Sequence, residues 1–467
     1  MHIVVIGAGY VGLVTGVSLA QTGLHRVTFV EKAPARLDEL RKGIMPIAEP
    51  GLGEAFAEAR ERIAVVKSLD EAELPDFVFV VVATPISEAG DPDLTQMHSA
   101  MADLRAWPDA HVSIRSTLPP GLSLRLPGLL GRADGSRLST NPEFLRQGSA
   151  MEDFAHPSRI VIGRFPETSA EHLSRVEHIF EPFDSPRLSV DVAAAELIKN
   201  ASNGFLALKL SFVNEMAALS EEFGVDVDEV LHGIALDPRI GSSYMRPGLG
   251  FGGSCLPKEL QVLTVAGRRH GLPMHIARAV AQVNVEQQDR FIRRIVGELP
   301  AGKSRIGLLG LSFKANTDDL RGSPALYVAR RLLDADHVVS AFDPAVRKER
   351  AELAAPGIRM TDTAEDVFED ADAVVVATEW PEFAQIDLAA ARSRVTHALI
   401  FDGRGVIDPD LAVRAGFSYR GIGRPSREPA AATSLLGPGV ASPNGKAARK
   451  RTGQPTYPGG GRAAPNE

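Results

Sequence analysis

A short apolar run, His2-Ile3-Val4-Val5-Ile6, breaks at Gly7-Ala8-Gly9-Tyr10-Val11-Gly12, and this junction constrains the fold more than any other part of the chain. A helical pattern follows from about Val11 to Thr22. A second strand-like run, Arg26 to Val30, then closes on Glu31. The glycine spacing alone is a weak signal. Between a strand and a helix, with an acid ending the next strand, it specifies a βαβ dinucleotide-binding unit. The glycines permit a tight turn and bring a pyrophosphate close to the free N–H groups at the helix start. A carboxylate at Glu31 suits ribose hydroxyls and repels a 2′-phosphate, which favours NAD over NADP, although Arg36 nearby tempers the preference. Gly7, Gly9, Val11, Gly12, Glu31 and Arg36 are the expected cofactor contacts. A glycine turn without a ligand is the plainer reading, and the strand–turn–helix context argues against it.

Apolar runs recur at Phe77–Ala83 and Val112–Ile114 between helical stretches, so the sheet is expected to be parallel and covered on both faces. From Asp191 to Gly297 strand-like runs vanish. Long helical patterns replace them at Val192–Glu222, Lys258–His270 and Ile276–Val296. The first carries Leu197, Phe205, Leu208, Phe212, Met216 and Leu219 at helical spacing, which fits either a dimer interface or a plain core helix. Strands return at Arg305–Gly310, Val338–Phe342, Ala373–Thr378 and Ala398–Phe401. Gly310-Leu311-Ser312-Phe313 lacks the dinucleotide spacing, so this second α/β region does not read as an internal repeat of the first. The expected fold is α/β, with two Rossmann-like doubly wound domains (1–190 and 298–425) joined by an all-α dimerisation domain (191–297) built on a long helix. Residues 426–467 are rich in Pro, Gly, Ala and Ser and read as disordered, with Lys446 to Arg451 a solvated basic run.

The chain has 467 residues, 44% hydrophobic and 24% charged, which is ordinary for a globular protein. A net charge of -8 argues against nucleic acid as the partner. No apolar run approaches the roughly 20 residues of a membrane span, and the N-terminus reads as a strand rather than a signal peptide. A single cysteine fits a reducing compartment, hence the cytoplasm.

That cysteine, Cys255, follows four glycines in six residues, Gly248-Leu249-Gly250-Phe251-Gly252-Gly253. It has no disulfide partner and no cysteine spacing for a metal, and no metal is expected. Most free cysteines are small buried hydrophobes. Here the glycines leave little to pack around a core thiol and let a ligand approach the backbone. Lys258 and Glu259 follow closely, and a nearby cation lowers a thiol pKa toward the reactive thiolate. Thr84-Pro85 and Ser116-Thr117 end apolar strands, where ligands bind in doubly wound sheets, or else they cap helices. Glu143, within Asn141-Pro142-Glu143-Phe144-Leu145-Arg146, is either a general base or a surface carboxylate. Lys199 and Asn203 share a helix face and on their own read as solvent-facing. Lys314 and Arg321, in a charged loop after a strand, either clamp phosphates or form surface salt bridges.

Together these segments resemble the UDP-glucose/GDP-mannose dehydrogenase family. The matching stretches are GAGYVG at 7–12, EPGL at 49–52, TP at 84–85, STLPPG at 116–121, NPEFLR at 141–146, Lys199 with Asn203, GLGFGGSCLPK at 248–258, GLSFKANTDDLRGSP at 310–324 and FDGR at 401–404. They cover the chain to about residue 424. The resemblance implies oxidation of a sugar C6 alcohol to a carboxylate with two NAD+. Cys255 would be the nucleophile, forming a thiohemiacetal and then a thioester that water hydrolyses. Addition of the thiolate turns the aldehyde carbon into one with a C–H beside an oxyanion, which favours hydride loss.

On the same resemblance, Lys199 stabilises charge on the C6 oxygen, Asn203 positions an oxygen or water, and Glu143 assists proton transfer. Thr84, Thr117, Gln147, Lys258 and Arg321 face the cofactor. Phe144, Leu145, Arg146, Tyr244, Arg246, Gly248, Gly252, Lys314 and Arg404 line the nucleotide-sugar with Glu143 and Lys199. Arg239 would be donated across a homodimer interface. Two positions depart from the family pattern: Glu259 replaces an aspartate that orders water near the thiol, and Gln147 replaces a common glutamate. Tyr244 to Gly248 and Arg115 are similar to the GDP-mannose branch. Asp237 to Gly241 and Phe401 to Arg404 are similar to the UDP-glucose branch, which is favoured because the C-terminal domain contacts the nucleotide. Two rivals stay open, a hydroxyacid-type dehydrogenase releasing one NADH and a catalytically impaired binding homologue with Glu259 as the lesion.

Overall fold

The computed structural model describes residues 1–87, 91–132 and 134–429. Eight strands form the first sheet: β1 (His2–Ile6), β2 (Arg26–Val30), β3 (Ile63–Val66), β4 (Phe77–Val80), β5 (Val112–Ile114), β6 (Leu138–Thr140), β7 (Ile160–Arg164) and β8 (Arg187–Asp191). Their spatial order is β3-β2-β1-β4-β5-β6-β7-β8. The first six give the doubly wound order whose switch point, between β1 and β4, opens a ligand crevice. The strands are short and rich in Val, Ile and Phe; β1 and β4 are wholly buried, as strands covered on both faces should be.

One expectation fails. The sheet is not wholly parallel, because β7 pairs antiparallel with β6. The turn after β6 is taken up by the Asn141–Arg146 loop, and the chain re-enters from the far side. Gly163 makes the tight pairing possible: a Cβ there would lie 2.2 Å from Thr140 Oγ1 and 2.8 Å from Ala195 Cβ.

The second sheet contains β9 (Arg305–Leu309), β10 (Val338–Phe342), β11 (Arg359–Met360), β12 (Ala373–Val376), β13 (Leu399–Asp402) and β14 (Ser418–Gly421). Its order is β11-β10-β9-β12-β13-β14, all parallel. It therefore repeats the winding of β1 to β6 although the glycine spacing differs. Beyond β14, Arg427 pairs with Tyr419, so order extends past the expected start of the tail at 426. The rest of that tail, with the basic run 446–451, lies outside the described residues.

Between the sheets runs the helix Val192–Phe223, 32 residues long, flanked by Leu256–Arg269 and His275–Glu298. Its inner face is small or polar: Ala195, Lys199, Asn203, Ala207, Ser211 and Ala217 are buried. Small residues let neighbours close in; a Cβ on Gly204 would lie 2.8 Å from Leu263, and Ser211 Oγ donates to Val280 O at 3.0 Å. The large residues point outward. Phe205 is 63% exposed and Leu197, Phe212 and Leu219 about half, so this stripe is not core. Leu208 alone of the six packs against the small cluster of Ala207, Phe251, Leu260, Ala277 and Val280.

The helix stops at Gly224 in the left-handed region (φ 66°), the usual glycine stop. There it meets the second sheet. Gly423 N donates to Glu221 Oε1 at 2.7 Å, Val227 N donates to Gly423 O at 2.8 Å, and a Gly423 Cβ would sit 2.4 Å from Val227 Cγ1. Gly423 also has φ +70°. A Gly423→Ala substitution therefore adds both strain and a clash. It should lower stability by about 2 kcal/mol, read as a drop in the urea midpoint.

Candidate active site

The glycine turn has the geometry of a dinucleotide cradle. Gly7 has φ +101°, and a Cβ there would lie 2.6 Å from Val81 O. A Cβ on Gly12 would lie 1.9 Å from Gly7 O, whereas one on Gly9 would meet nothing within 4 Å. The outer glycines close the turn and the middle one leaves room for a ligand. At the end of β2, buried Glu31 accepts from Ala8 N at 3.2 Å and from Ala33 N at 2.8 Å. Arg36 pairs with Glu31 at 3.3 Å, which leaves it committed to that carboxylate rather than free for a 2′-phosphate. Val11 lies half-buried at the start of the helix Tyr10–Gln21. On the other side of the crevice Lys258 Nζ donates to Thr84 Oγ1 at 3.1 Å, and Thr84 Oγ1 donates to Thr117 O at 2.7 Å. These residues fit NAD, with Gly7 to Gly12 for the pyrophosphate and Glu31 for the ribose.

A cleft of about 700 Å³ adjoins this crevice. It gathers Glu143, Phe144, Leu145, Arg146, Gln147, Lys199, Asn203, Tyr244, Arg246, Gly248, Gly252, Cys255, Lys314 and Arg404. Lys199, which in isolation reads as solvent-facing, and Glu143, left open between a general base and a surface carboxylate, are both buried and pair at 3.1 Å. Leu145 N donates to Glu143 Oε2 at 2.6 Å. Burial pushes the Glu143 carboxyl up, but Lys199, the Leu145 amide and Arg115 outweigh it and hold its pKa below the ordinary carboxylate value. Burial likewise pushes Lys199 down, and Glu143, Cys255 and Glu259 together raise it. The pair is therefore ionised.

Cys255 caps the N-terminus of the helix Leu256–Arg269, a position whose partial positive charge suits a thiolate. Its sulfur is exposed to the cleft although dense protein surrounds it on the other sides. The expectation that a nearby cation lowers its pKa is corrected. Burial, then Glu143, and last Glu259 push the thiol up, and Lys199 and the Ser254 hydroxyl only partly oppose them. Lys258, the cation adjacent in sequence, turns to Thr84 instead. Glu259 lies buried in the first turn of the thiol's helix; among the described residues its Oε2 has no hydrogen-bond partner, and burial raises its pKa against Lys258 and Lys199.

The glycines of the cysteine loop mostly serve protein contacts. A Cβ on Gly252 would lie 2.2 Å from Gly322 O, and one on Gly253 would lie 2.8 Å from Phe313. Gly253 N donates to Arg321 O at 3.0 Å, and Leu249 N to Gly403 O at 3.1 Å. The thiol is thus bolted to the loops after β9 and β13. Arg404 reinforces this, donating to Ala377 O at 3.0 Å and Gly250 O at 3.3 Å and pairing with Glu379 at 3.2 Å. Burial lowers the Lys314 pKa while Glu379 and Glu49 oppose it. Tyr244 holds the left-handed φ of 60° without being glycine, a strained conformation at the cleft.

Some expected residues are held by acids, at the cleft wall for Arg146 and Gln147 and outside it for Arg321 and Arg239. Arg146 pairs with Asp153 at 2.6 Å, and Arg321 pairs with Asp319 at 2.6 Å. Gln147 also reaches Asp319, at 3.1 Å. Arg239 is 88% exposed, pairs with Asp237 and lies outside the cleft.

Three family models match the chain: the NAD binding domain (residues 1–184), the central domain (193–286) and the UDP binding domain (307–409) of the UDP-glucose/GDP-mannose dehydrogenase family. The chain belongs to this family. The UDP-glucose 6-dehydrogenase YwqF of Bacillus subtilis is 38% identical, covering 92% of this chain and all of the relative. A UDP-glucose 6-dehydrogenase of Rhizobium meliloti is 37% identical over 91% of this chain and all of its own. A solved UDP-glucose dehydrogenase from Pyrobaculum islandicum superposes with a TM-score of 0.80 at 35% identity, covering 91% of this chain and 98% of that one. The protein is an NAD-dependent nucleotide-sugar dehydrogenase. Among the described residues, no helix is long and apolar enough to cross a membrane.

Within this family site, Arg115 is the functional-looking residue that sequence reading placed only by resemblance. Its buried guanidinium donates to Thr15 Oγ1 at 2.9 Å and to Asn141, and lies over the rings of Phe154 at 5.4 Å and Phe180 at 5.9 Å. Burial pushes its pKa down to about 10. Arg159 was missed altogether; it lies 3.8 Å over the Phe144 ring and donates to Ser202 at 2.9 Å. An arginine ending an apolar strand was the one available signal for the first; nothing in the sequence marks the second.

The electrostatics predict the behaviour of the lone thiol. In the ligand-free enzyme, alkylation of Cys255 by iodoacetamide should titrate with a midpoint above the ordinary thiol value of about 8.5. Lys199→Met removes the cation that opposes the upward push and should move the midpoint higher still. A midpoint below the ordinary value would contradict the charge balance described here.

Proposed function

We propose that the protein oxidises UDP-glucose to UDP-glucuronate through a covalent Cys255 intermediate. The observation that carries this reading is the convergence of one exposed thiol, the ionised Glu143–Lys199 pair, Lys314 and Arg404 at a single cleft, with the helix that Cys255 caps tied to the NAD crevice through Lys258 and Thr84. The names of the relatives support UDP-glucose. When bound, NAD+ accepts the hydride from C6 in each of the two oxidations.

Lys199, charged and buried, stabilises oxyanion character on the C6 oxygen. Asn203, one turn along the same helix, orients that oxygen or a water. Once C6 is an aldehyde, Cys255 Sγ adds to it and gives up its proton. Lys199 is already protonated, so ionised Glu143 is the group able to receive it. The adduct keeps the aldehyde from escaping and restores an oxidisable C–H. Its oxidation leaves a thioester, and water cleaves it with Glu143 and Glu259 assisting. Gly248, Gly252, Tyr244, Arg246 and the Phe144–Arg146 loop shape the sugar-nucleotide wall, and Lys314 and Arg404 hold its phosphates. Thr84, Thr117, Gln147, Lys258 and Arg321 border the cofactor. The division at 1–190, 191–297 and 298–425 assigns cofactor, thiol and nucleotide to successive domains. The cytoplasm is the compartment that suits a free reactive thiol.

Counting NADH per sugar tests the reaction. Purified protein with UDP-glucose should release two NADH per molecule consumed, and Cys255→Ser should bind the sugar but form no acid. One NADH with accumulating aldehyde, no turnover, or turnover with GDP-mannose alone would each reject the reading.

We infer a homodimer as well. The outward stripe of Leu197, Phe205, Phe212 and Leu219 is a large apolar face; Lys209 of the same helix donates to Ile240 O at 3.1 Å, which brings exposed Arg239 near it for donation to the partner's site. Phe205→Asp with Phe212→Asp should yield monomers by light scattering. Arg239→Ala should raise the KM for UDP-glucose about tenfold, the loss of one interface-buried contact. A wild-type monomer would overturn this.

A further inference from the structure

Glu49, the first residue of the EPGL stretch, lines neither the cleft nor the cofactor turn, yet it is buried and fully engaged. Its Oε1 accepts from Ala150 N at 2.6 Å. Its Oε2 accepts from Gly148 N at 2.6 Å and from the Tyr10 hydroxyl. Among the described residues no cation pairs with it at bonding distance, so these donors, with the more distant charge of Lys314, offset the cost of its burial. The Tyr10 hydroxyl also accepts from Gly148 N at 3.2 Å. Burial, then the bond to Glu49 and its charge, push the Tyr10 pKa far above the ordinary phenol value, so the hydroxyl remains a donor.

The partners define what Glu49 joins. Tyr10 lies inside the dinucleotide turn, between Gly9 and Gly12, as the first residue of its helix. Gly148 and Ala150 end the loop that carries Glu143 to Gln147 into the cleft. The opposite side of that loop rests on the second sheet's β9 loop. A Gly148 Cβ would lie 3.0 Å from Asn316 Cβ, and Gln147 donates to Asp319 at 3.1 Å. Among the described residues, Glu49 is thus the side chain hydrogen-bonded to both the cofactor turn and the sugar loop. Its other neighbours are covalent parts of one or the other.

We propose that Glu49, with the Tyr10 hydroxyl, is a positioning unit that couples the two ligand sites, so that NAD+ bound at the turn orders residues 143–150. Fixing the turn fixes the Tyr10 ring, which fixes the carboxylate and hence the two amides. A nucleotide-sugar arriving afterwards meets a loop already ordered and binds more tightly, and linkage requires the reverse effect on NAD+ to be equal. Only this second part rests on the nucleotide-sugar reading above.

Hydrogen exchange on the full chain tests the first part with NAD+ alone. In the wild type, saturating NAD+ should slow exchange of a peptide spanning 143–150 about tenfold, within the usual range of such couplings. Tyr10→Phe removes one hydroxyl; it should still bind NAD+ but show less than a twofold change, and Glu49→Gln should behave likewise. Equal slowing in wild type and both variants, or none in the wild type, overturns the proposal whatever the variants do. The ratio of NAD+ affinities with and without UDP-glucuronate should fall toward unity in Tyr10→Phe. If exchange behaves as expected but no UDP-sugar binds, the substrate reading fails and the coupling stands.

Discussion

The buried pair of Lys199 and Glu143 is the interaction on which the site depends. It joins the long helix to the loop after β6, both members are almost fully buried, and among the described residues neither has an alternative counter-charge at bonding distance. Removing one member of such a pair strands the other and typically costs about 3–5 kcal/mol. The same pair sets the chemistry at Cys255. Burial and Glu143 push the thiol up and Lys199 pulls it down, so the thiol's charge state is set against an ionised pair on the same cleft.

The parts legible in the sequence are those with a local cause. The turn from Gly7 to Gly12, the strands of Val, Ile and Phe, and the three long helices follow from periodicity and glycine placement, and the structure has all of them. Burial of Lys199 was not legible. Its neighbours on the helix face are small and polar, a pattern that reads as solvent-exposed unless another helix is known to press against it. The outward phenylalanines are the same inversion seen from the other side. Likewise β7 and β8 were missed. Their pairing depends on Gly163 fitting beneath Thr140 and Ala195, contacts made between segments far apart in the chain.

The glycines of the cysteine loop show how a correct inference can have an incomplete cause. Their density suggested ligand access, and the loop does line the cleft. The tightest approaches, however, are to Gly322 O and Phe313 of the second sheet. Side chains at these positions would push the thiol away from the domain that holds the nucleotide. The loop's composition is therefore a docking requirement as much as a binding one, which fixes the sulfur's distance from the second sheet.

The two sheets wind identically, and the reason only one carries the dinucleotide lies in a single carboxylate. Gly310 repeats the geometry of Gly7, with φ +94° and a would-be Cβ 2.3 Å from Thr378. Asp343 follows β10 just as Glu31 follows β2. But Asp343 Oδ2 folds back to accept from Leu311 N at 2.8 Å, Ser312 N at 2.9 Å and the Ser312 hydroxyl at 2.9 Å, with Trp380 Nε1 at 3.3 Å. Those amides are the ones a pyrophosphate would need, and an anion already occupies them. In the first sheet Glu31 takes only Ala8 N from the turn and leaves Gly9 open. The same winding thus yields a cofactor crevice where the acid stands aside, and a closed turn where it reaches in. The loop beyond the closed turn is free to place Lys314 at the cleft instead.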